Sequence, residues 1–175
     1  MFATIDQQVF LFVNKAWSNP FFDLLMPFVT QIGSGEFLFV VAAILMVVRL
    51  RRDKGRLGIL LIAGLGATYY VVSFIKHIVA RPRPFAILSD VNLLIGAEKG
   101  FSFPSNHTAM AFMAATILSA FFGRWWGLFF GLAAAVGFSR VYIGVHFLSD
   151  VAAGAVIGSL VGCCLLSVSD PDRHQ

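Results

Sequence analysis

Charge is the scarcest commodity in this chain. Only 13% of its 175 residues are Asp, Glu, Lys or Arg, against roughly a quarter in soluble domains. That shortage excludes an ordinary water-soluble surface. Carboxylates are the scarcer sign, nine against thirteen cations, and too few stand near one another for a zinc or magnesium site. We therefore expect no metal and no cofactor. Cysteine is almost absent. Cys163 and Cys164 are adjacent within an apolar run, which excludes an ordinary mutual disulfide and leaves redox compartment open. Met1 to Lys15 has no basic segment ahead of a long apolar stretch, and no small-residue cleavage site follows. We read no cleaved leader there; the first spans would themselves direct the chain to a membrane.

Apolar sequence is what the chain has in plenty. Hydrophobic residues make up 58% and mean hydropathy is +0.83. This predicts an all-α, polytopic membrane helix bundle. At ~20 residues per span there is room for about five or six transmembrane helices, and one domain, residues 1–175, is the natural division. Phe2, Ile5, Val9, Phe10, Phe12 and Val13 recur at helical spacing with polar residues between them. They predict an N-terminal amphipathic helix, at the interface or tucked against the bundle. Asn19-Pro20 breaks it. Residues 21–32 are apolar but carry Asp23 and Pro27, and fall short of an unambiguous span. Spans are expected over 36–48, 57–75, 105–122, 125–142 and 146–168. A polar connection runs over 81–103, and a polar tail begins at Asp170. Gly154, Gly158 and Gly162 recur every four residues, as do Gly127 and Gly131, and both sets predict close helix packing.

The net charge of +4 comes largely from a few clusters, which argues against a nucleic-acid surface. Arg49, Arg51, Arg52, Lys54 and Arg56 form one basic block, the usual mark of a cytoplasmic loop. Span parity then carries Lys76, Ser105, His107, Arg140 and His146 to the opposite, outer face. The polar clusters are Lys76-x6-Arg83-Pro84, Pro104-Ser105-Asn106-His107 and Ser139-Arg140-x5-His146-x3-Asp150. Ionisable residues at membrane spans ordinarily mark function.

Their chemistry points to phosphoryl transfer. His146 and Asp150 are four apart and share a face if helical. A carboxylate behind an imidazole fixes its tautomer, leaving the other nitrogen free to attack phosphorus. His107, at a helix start with Ser105 as N-cap, is the candidate acid for the leaving oxygen. Lys76, Arg83 and Arg140 are candidates for holding phosphate oxygens. Taken singly, Lys76 and Arg83 read better as snorkelling side chains at span ends, and the His-Asp pair alone reads better as a polar packing pair or half a metal site than as catalytic. Arg81, also followed by proline, competes with Arg83. His77 reads as a bystander.

Together these motifs resemble the type 2 phosphatidic acid phosphatase superfamily, whose signature is K-x6-R-P, P-S-G-H and S-R-x5-H-x3-D. The signature region covers 76–150. The resemblance implies a metal-independent lipid phosphatase working through a phosphohistidine. It places the nucleophile on His146, the acid on His107, the orienting carboxylate on Asp150, and phosphate contacts on Lys76, Arg83, Ser105 and Arg140. Asn106 stands where that family has glycine. Asn tolerates unusual backbone angles, so Asn106 is kept as a phosphate contact.

The implied substrates are lipid phosphates held among membrane lipids: undecaprenyl diphosphate first, then phosphatidylglycerophosphate, phosphatidic acid or lipid A phosphate. The expected setting is a bacterial inner membrane with the site facing the periplasm or exterior. A lipid phosphotransferase and a non-catalytic lipid-phosphate binder are the rival readings. The soluble haloperoxidases that share the signature fit such an apolar chain poorly. Ile87-Leu88 and Leu93-Leu94-Ile95 in the long connection are expected to cover a lipid tail. Oligomeric state is not legible.

Overall fold

The computed structural model describes residues 2–169, all helix and connection with no strand among them. The expected polar tail from Asp170 lies outside the described residues. Nine α-helices follow in order: α1 Phe2–Leu11, α2 Pro20–Gln31, α3 Gly35–Val48, α4 Leu50–Asp53, α5 Arg56–Val79, α6 Pro84–Ile87, α7 Asn106–Phe121, α8 Trp126–Tyr142 and α9 Leu148–Ser169. A π-helical turn, Phe12–Ala16, continues α1.

Local chemistry sets several of these boundaries. The Asn19 side chain accepts from Phe22 N at 3.1 Å and opens α2, with Pro20 in its first turn. Ser34 does the same for α3, accepting from Phe37 N at 3.2 Å. The basic block becomes a tight reversal. Lys54 and Gly55 take left-handed backbone, φ 55° and 74°, the region glycine enters at little cost.

The chain is an integral membrane protein. Arg56–Ile87 and Leu148–Ser169 are each long and apolar enough to cross a membrane, and α2 with α3 qualifies as a pair bent by 53°. At 16 and 17 residues, α7 and α8 reach only about 24–26 Å at 1.5 Å per residue. They fall short of a ~30 Å hydrocarbon core.

Packing is densest between α7 and α9, and glycine is the reason. A Cβ on Gly158 would lie 2.0 Å from Ala109 O, one on Gly154 2.6 Å from Ser105 O, and one on Gly162 2.8 Å from Thr116 Cβ. The every-fourth-residue pattern is therefore a contact stripe. Gly127 and Gly131 correct the same expectation for α8: nothing comes within 4 Å of their Cβ positions. Ala133, Val136 and Gly137 supply the packed face of α8 instead.

The two ends of the bundle differ in character. Arg49 lies over the Phe121 and Phe122 rings, and Arg56 donates to Ser169 O at 2.8 Å. The basic block thus meets the C-terminal ends of α7 and α9. Their N-terminal ends face the other way, where Ser105 N donates to Asp150 O at 3.0 Å.

The N-terminal segment is tied into that second end. Phe10 is fully buried and meets the Phe147 ring at 5.5 Å. Asn14, also fully buried, donates to Asn92 O at 2.8 Å and Tyr142 O at 2.7 Å, and accepts from Asn92 N at 2.9 Å. One side chain thereby pins the 88–105 connection to the end of α8. Leu93, Leu94 and Ile95 pack on Tyr142, Ile143 and Val145, and Leu88 packs on Phe10, Val141 and Phe147. These residues anchor the connection to the bundle. Of that patch only Ile87 stays half exposed.

Candidate active site

All three sequence clusters converge at the end of the bundle away from the basic block. Arg83 links two of them: its Nη1 lies 3.3 Å from His146 Nε2 and donates to Val145 O at 3.2 Å. Its Nε donates to Gly100 O at 3.1 Å. The Arg140 side chain is 1% exposed, donates to Thr30 Oγ1 at 2.9 Å, and pairs with Glu98. Glu98 in turn lies 2.8 Å from Arg83 Nη1, so one carboxylate bridges two arginines. Lys76 Nζ donates to the carbonyls of Phe101 and Ser102. The His107 imidazole, in the first turn of α7, lies within electrostatic reach of Arg140, Glu98, Arg83 and Lys76.

His146 and Asp150 meet, by a route different from the expected one. The last helix starts at Leu148, so His146 precedes it and the two residues do not share a helical face. Instead Asp150 sits in the first turn and reaches back: its Oδ2 accepts from Phe147 N at 2.9 Å. This is one half of a capping box, with Asp in the acidic position. It leaves Oδ2 3.4 Å from His146 Nδ1. Ser102 fills the angle between them. Its hydroxyl donates to Asp150 Oδ2 and lies 3.3 Å from His146 Nδ1. Nδ1 thus turns to Ser102 and Asp150, while Nε2 turns to Arg83.

Burial, reinforced by the charges of Arg140, Arg83 and Lys76, pushes the His146 imidazole well below its ordinary range. That direction favours the neutral ring. Burial alone would raise the Glu98 carboxyl; the Arg140 and Arg83 guanidiniums overcome it and hold it down at about 2.

Ser105 precedes α7 in the N-cap position, yet its hydroxyl caps no backbone amide. It accepts from Thr108 Oγ1 at 3.0 Å, a correction to its capping role that leaves it fully buried at the helix start. Asn106 opens α7 with helical geometry, half-buried, its amide nitrogen 3.8 Å from Met110 Sδ. His77 is exposed; its Nδ1 lies 2.7 Å from Ser73 O and its ring edges that of Phe101.

Sequence reading missed three contributors. Glu98 and Ser102 lie in a connection with no periodicity to expose them. Arg81 entered only as a competitor of Arg83, and it has its own place. Its Nη1 donates to Asp150 Oδ1 at 2.7 Å, its Nη2 to Asp6 Oδ2 at 2.8 Å, and its guanidinium lies 4.1 Å above the Phe147 ring centroid. Arg81 thus backs Asp150 from the side away from His146. Beyond it opens an apolar cleft of about 550 Å³, lined by Ile5, Val9, Leu148 and Ala152, with Asp6, Arg81 and Ser149 at its polar edge.

A family model, the PAP2 superfamily, matches residues 57–173 of this sequence. The chain belongs to the PAP2 superfamily. The matched region includes every residue of the cluster except Asp6 and Thr30. A bacitracin transport permease protein, BcrC, of Bacillus licheniformis is 30% identical over 168 residues, 91% of this chain and 78% of its own length. The undecaprenyl-diphosphatase BcrC of Bacillus subtilis is 32% identical over 157 residues, 87% of this chain and 77% of its own. Among solved structures, the transmembrane PAP2-type phosphatidylglycerolphosphate phosphatase of Bacillus subtilis superposes with a TM-score of 0.85 at 25% identity. That match covers 98% of this chain and 87% of the other. The PAP2 assignment and the fold therefore agree.

Proposed function

We propose that residues 1–175 form a single membrane-embedded phosphatase domain that removes the terminal phosphate of a lipid diphosphate or monophosphate, undecaprenyl diphosphate foremost. The observation that carries this reading is the orientation of His146. One ring nitrogen is held by Ser102 and Asp150, and the other faces the guanidinium of Arg83. That is the arrangement a histidine nucleophile needs: a fixed tautomer, a neutral ring, and a cation beside the attacking atom to receive an anionic phosphorus centre.

In this reading His146 Nε2 attacks phosphorus, the P–O bond to the leaving group breaks, and a phosphohistidine forms. Arg83, Arg140 and Lys76 stabilise charge growing on the equatorial oxygens. Ser105 and Asn106, at the start of α7, contribute the amide end of a helix, a natural anion site. His107 gives its proton to the leaving oxygen, then takes one from the water that hydrolyses the phosphohistidine. Lipid choice rests on the named undecaprenyl-diphosphatase relative and on siting: with the basic block cytoplasmic, the cluster faces the outer side of a bacterial inner membrane. The full layout expected there is about five or six spans, with α1 lying along the bundle at the interface.

Phosphate release should be measured in detergent from undecaprenyl diphosphate, phosphatidylglycerophosphate, phosphatidic acid and lipid A phosphate. Release from undecaprenyl diphosphate should be fastest, and a faster rate on another lipid would reassign the substrate. Release should persist in EDTA, and vanadate should inhibit as a pentacoordinate mimic; loss of activity in EDTA would refute the metal-independent mechanism. Phosphate appearing on an added lipid rather than in solution would make the protein a phosphotransferase. Ser102→Ala should lower kcat about tenfold with KM within about twofold, because it loosens the imidazole without touching the phosphate cations. An equal rise in KM would place Ser102 in substrate binding instead.

A further inference from the structure

Among the described residues, Glu98 is the acidic side chain paired with the cations assigned to phosphate. It engages Arg140 and Arg83 together, two of the three groups given that task. A guanidinium offers carboxylate and phosphate the same pair of parallel donors, so both anions cannot use one fork at once. The fit of Glu98 is also incomplete. Arg140 Nε is buried without a hydrogen-bond partner among the described residues. A carboxylate has two oxygens to offer, whereas phosphate has more, so the larger anion can meet the donor that Glu98 leaves over. Glu98 is the least enclosed of the three. The two arginine side chains are 7% and 1% exposed, while Glu98 is 26% exposed and sits in the non-helical connection.

We propose that Glu98 is an internal competitor for the phosphate site. Its carboxylate keeps the two buried arginines paired in the free enzyme, moves aside when a lipid phosphate arrives, and returns to displace inorganic phosphate after hydrolysis. This rests on the phosphatase reading and deepens it. Inorganic phosphate leaving three cations in a partly buried site would otherwise be slow to depart. A tethered carboxylate weakens every anion at that site by the same factor and so limits inhibition by the product.

The test is equilibrium binding of inorganic phosphate to detergent-solubilised protein in a His146→Ala background, where no covalent intermediate interferes. Adding Glu98→Gln should lower the phosphate Kd at least about tenfold, as expected when a charged competitor is removed. Phosphate should also raise the melting temperature of that variant more than that of its parent. Glu98→Asp keeps the charge but shortens the reach and should tighten phosphate to a lesser degree; it decides the question if the glutamine variant does not fold. With His146 intact, Glu98→Gln should show a correspondingly lower Ki for product phosphate. An unchanged or raised Kd overturns the proposal and makes Glu98 an anchor for the arginines. Should the wild type neither bind inorganic phosphate nor release it from any lipid, the phosphatase reading falls as well. Normal turnover without tightening in the variants removes the Glu98 proposal alone.

Discussion

Replacing His146 with alanine should abolish turnover, lowering it by at least about three orders of magnitude, and no phosphoenzyme should be trapped from labelled substrate. The expected loss is large because in the proposed mechanism one atom carries the chemistry. His146 Nε2 is the ring nitrogen turned to Arg83, and the rest of the ring is enclosed, with the side chain 2% exposed. Lys76 is no ready substitute, since it is engaged by the carbonyls of Phe101 and Ser102. Folding should be tolerated, since alanine leaves no unpaired charge. It does leave Ser102 with Asp150 as its partner. Trapped label at wild-type level in the variant would move the nucleophile elsewhere. The same burial sets a pH signature. A nucleophilic imidazole works only when neutral, and this one is held well below the ordinary histidine range. Lowering pH through 6.5 should therefore not by itself protonate it, and the acid limb of kcat/KM should lie below that value. A limb centred near 6.5 would mean that His146 titrates as though it were in water.

The second large effect is expected at Arg140. Its side chain is 1% exposed, and it joins three elements: α8, which carries it, α2 through Thr30, and the 88–105 connection through Glu98. Arg140→Ala should raise KM and lower kcat/KM by roughly a hundredfold or more, the scale of losing a charge-stabilising donor. It should also cost about 3 kcal/mol of stability, because a buried ion pair is broken with its partner left behind. Arg83 still faces Glu98, which holds that cost at the low end. Arg140→Lys separates the two effects. It restores the charge without the two-pronged geometry, so the melting temperature should recover more than kcat/KM does. Parallel recovery of both would make Arg140 a structural pin with no part in holding phosphate.

How much of this was legible in the residues depended on whether the information was local. The signature residues were readable because their spacing is short and their types unusual in apolar sequence, and the structure brings Lys76, Arg83, His107, Arg140, His146 and Asp150 to one end of the bundle. The α9 glycines were readable because a stripe every four residues has one geometric meaning. The α8 glycines failed the same rule: spacing says which residues share a face, not whether another helix lies there. The join between His146 and Asp150 was misread because a four-residue gap fits a helix and fits a reach-back across a helix start equally well. Glu98, Ser102, Asp6 and Thr30 were illegible for a different reason. Asp6 and Thr30 reach the cluster from far along the chain, and Glu98 and Ser102 lie in a connection of mixed composition in which no period or pattern points to a partner in another element.

The α7–α9 contact has one more consequence. His107 rides on α7 and Asp150 on α9, so the clearance between these two rods bears on the spacing between His107 and the imidazole beside Asp150, the acid and nucleophile of the proposed mechanism. Gly158 sits about 12 Å along the helix from Asp150 at 1.5 Å per residue, with Ala109 O lying where a Cβ would go. It works as a spacer gauge for the chemistry above it. A bulkier residue at Gly158 should wedge the rods apart and widen the gap at their upper ends, so that under the proposed mechanism damage deep in the bundle is felt as slower proton transfer.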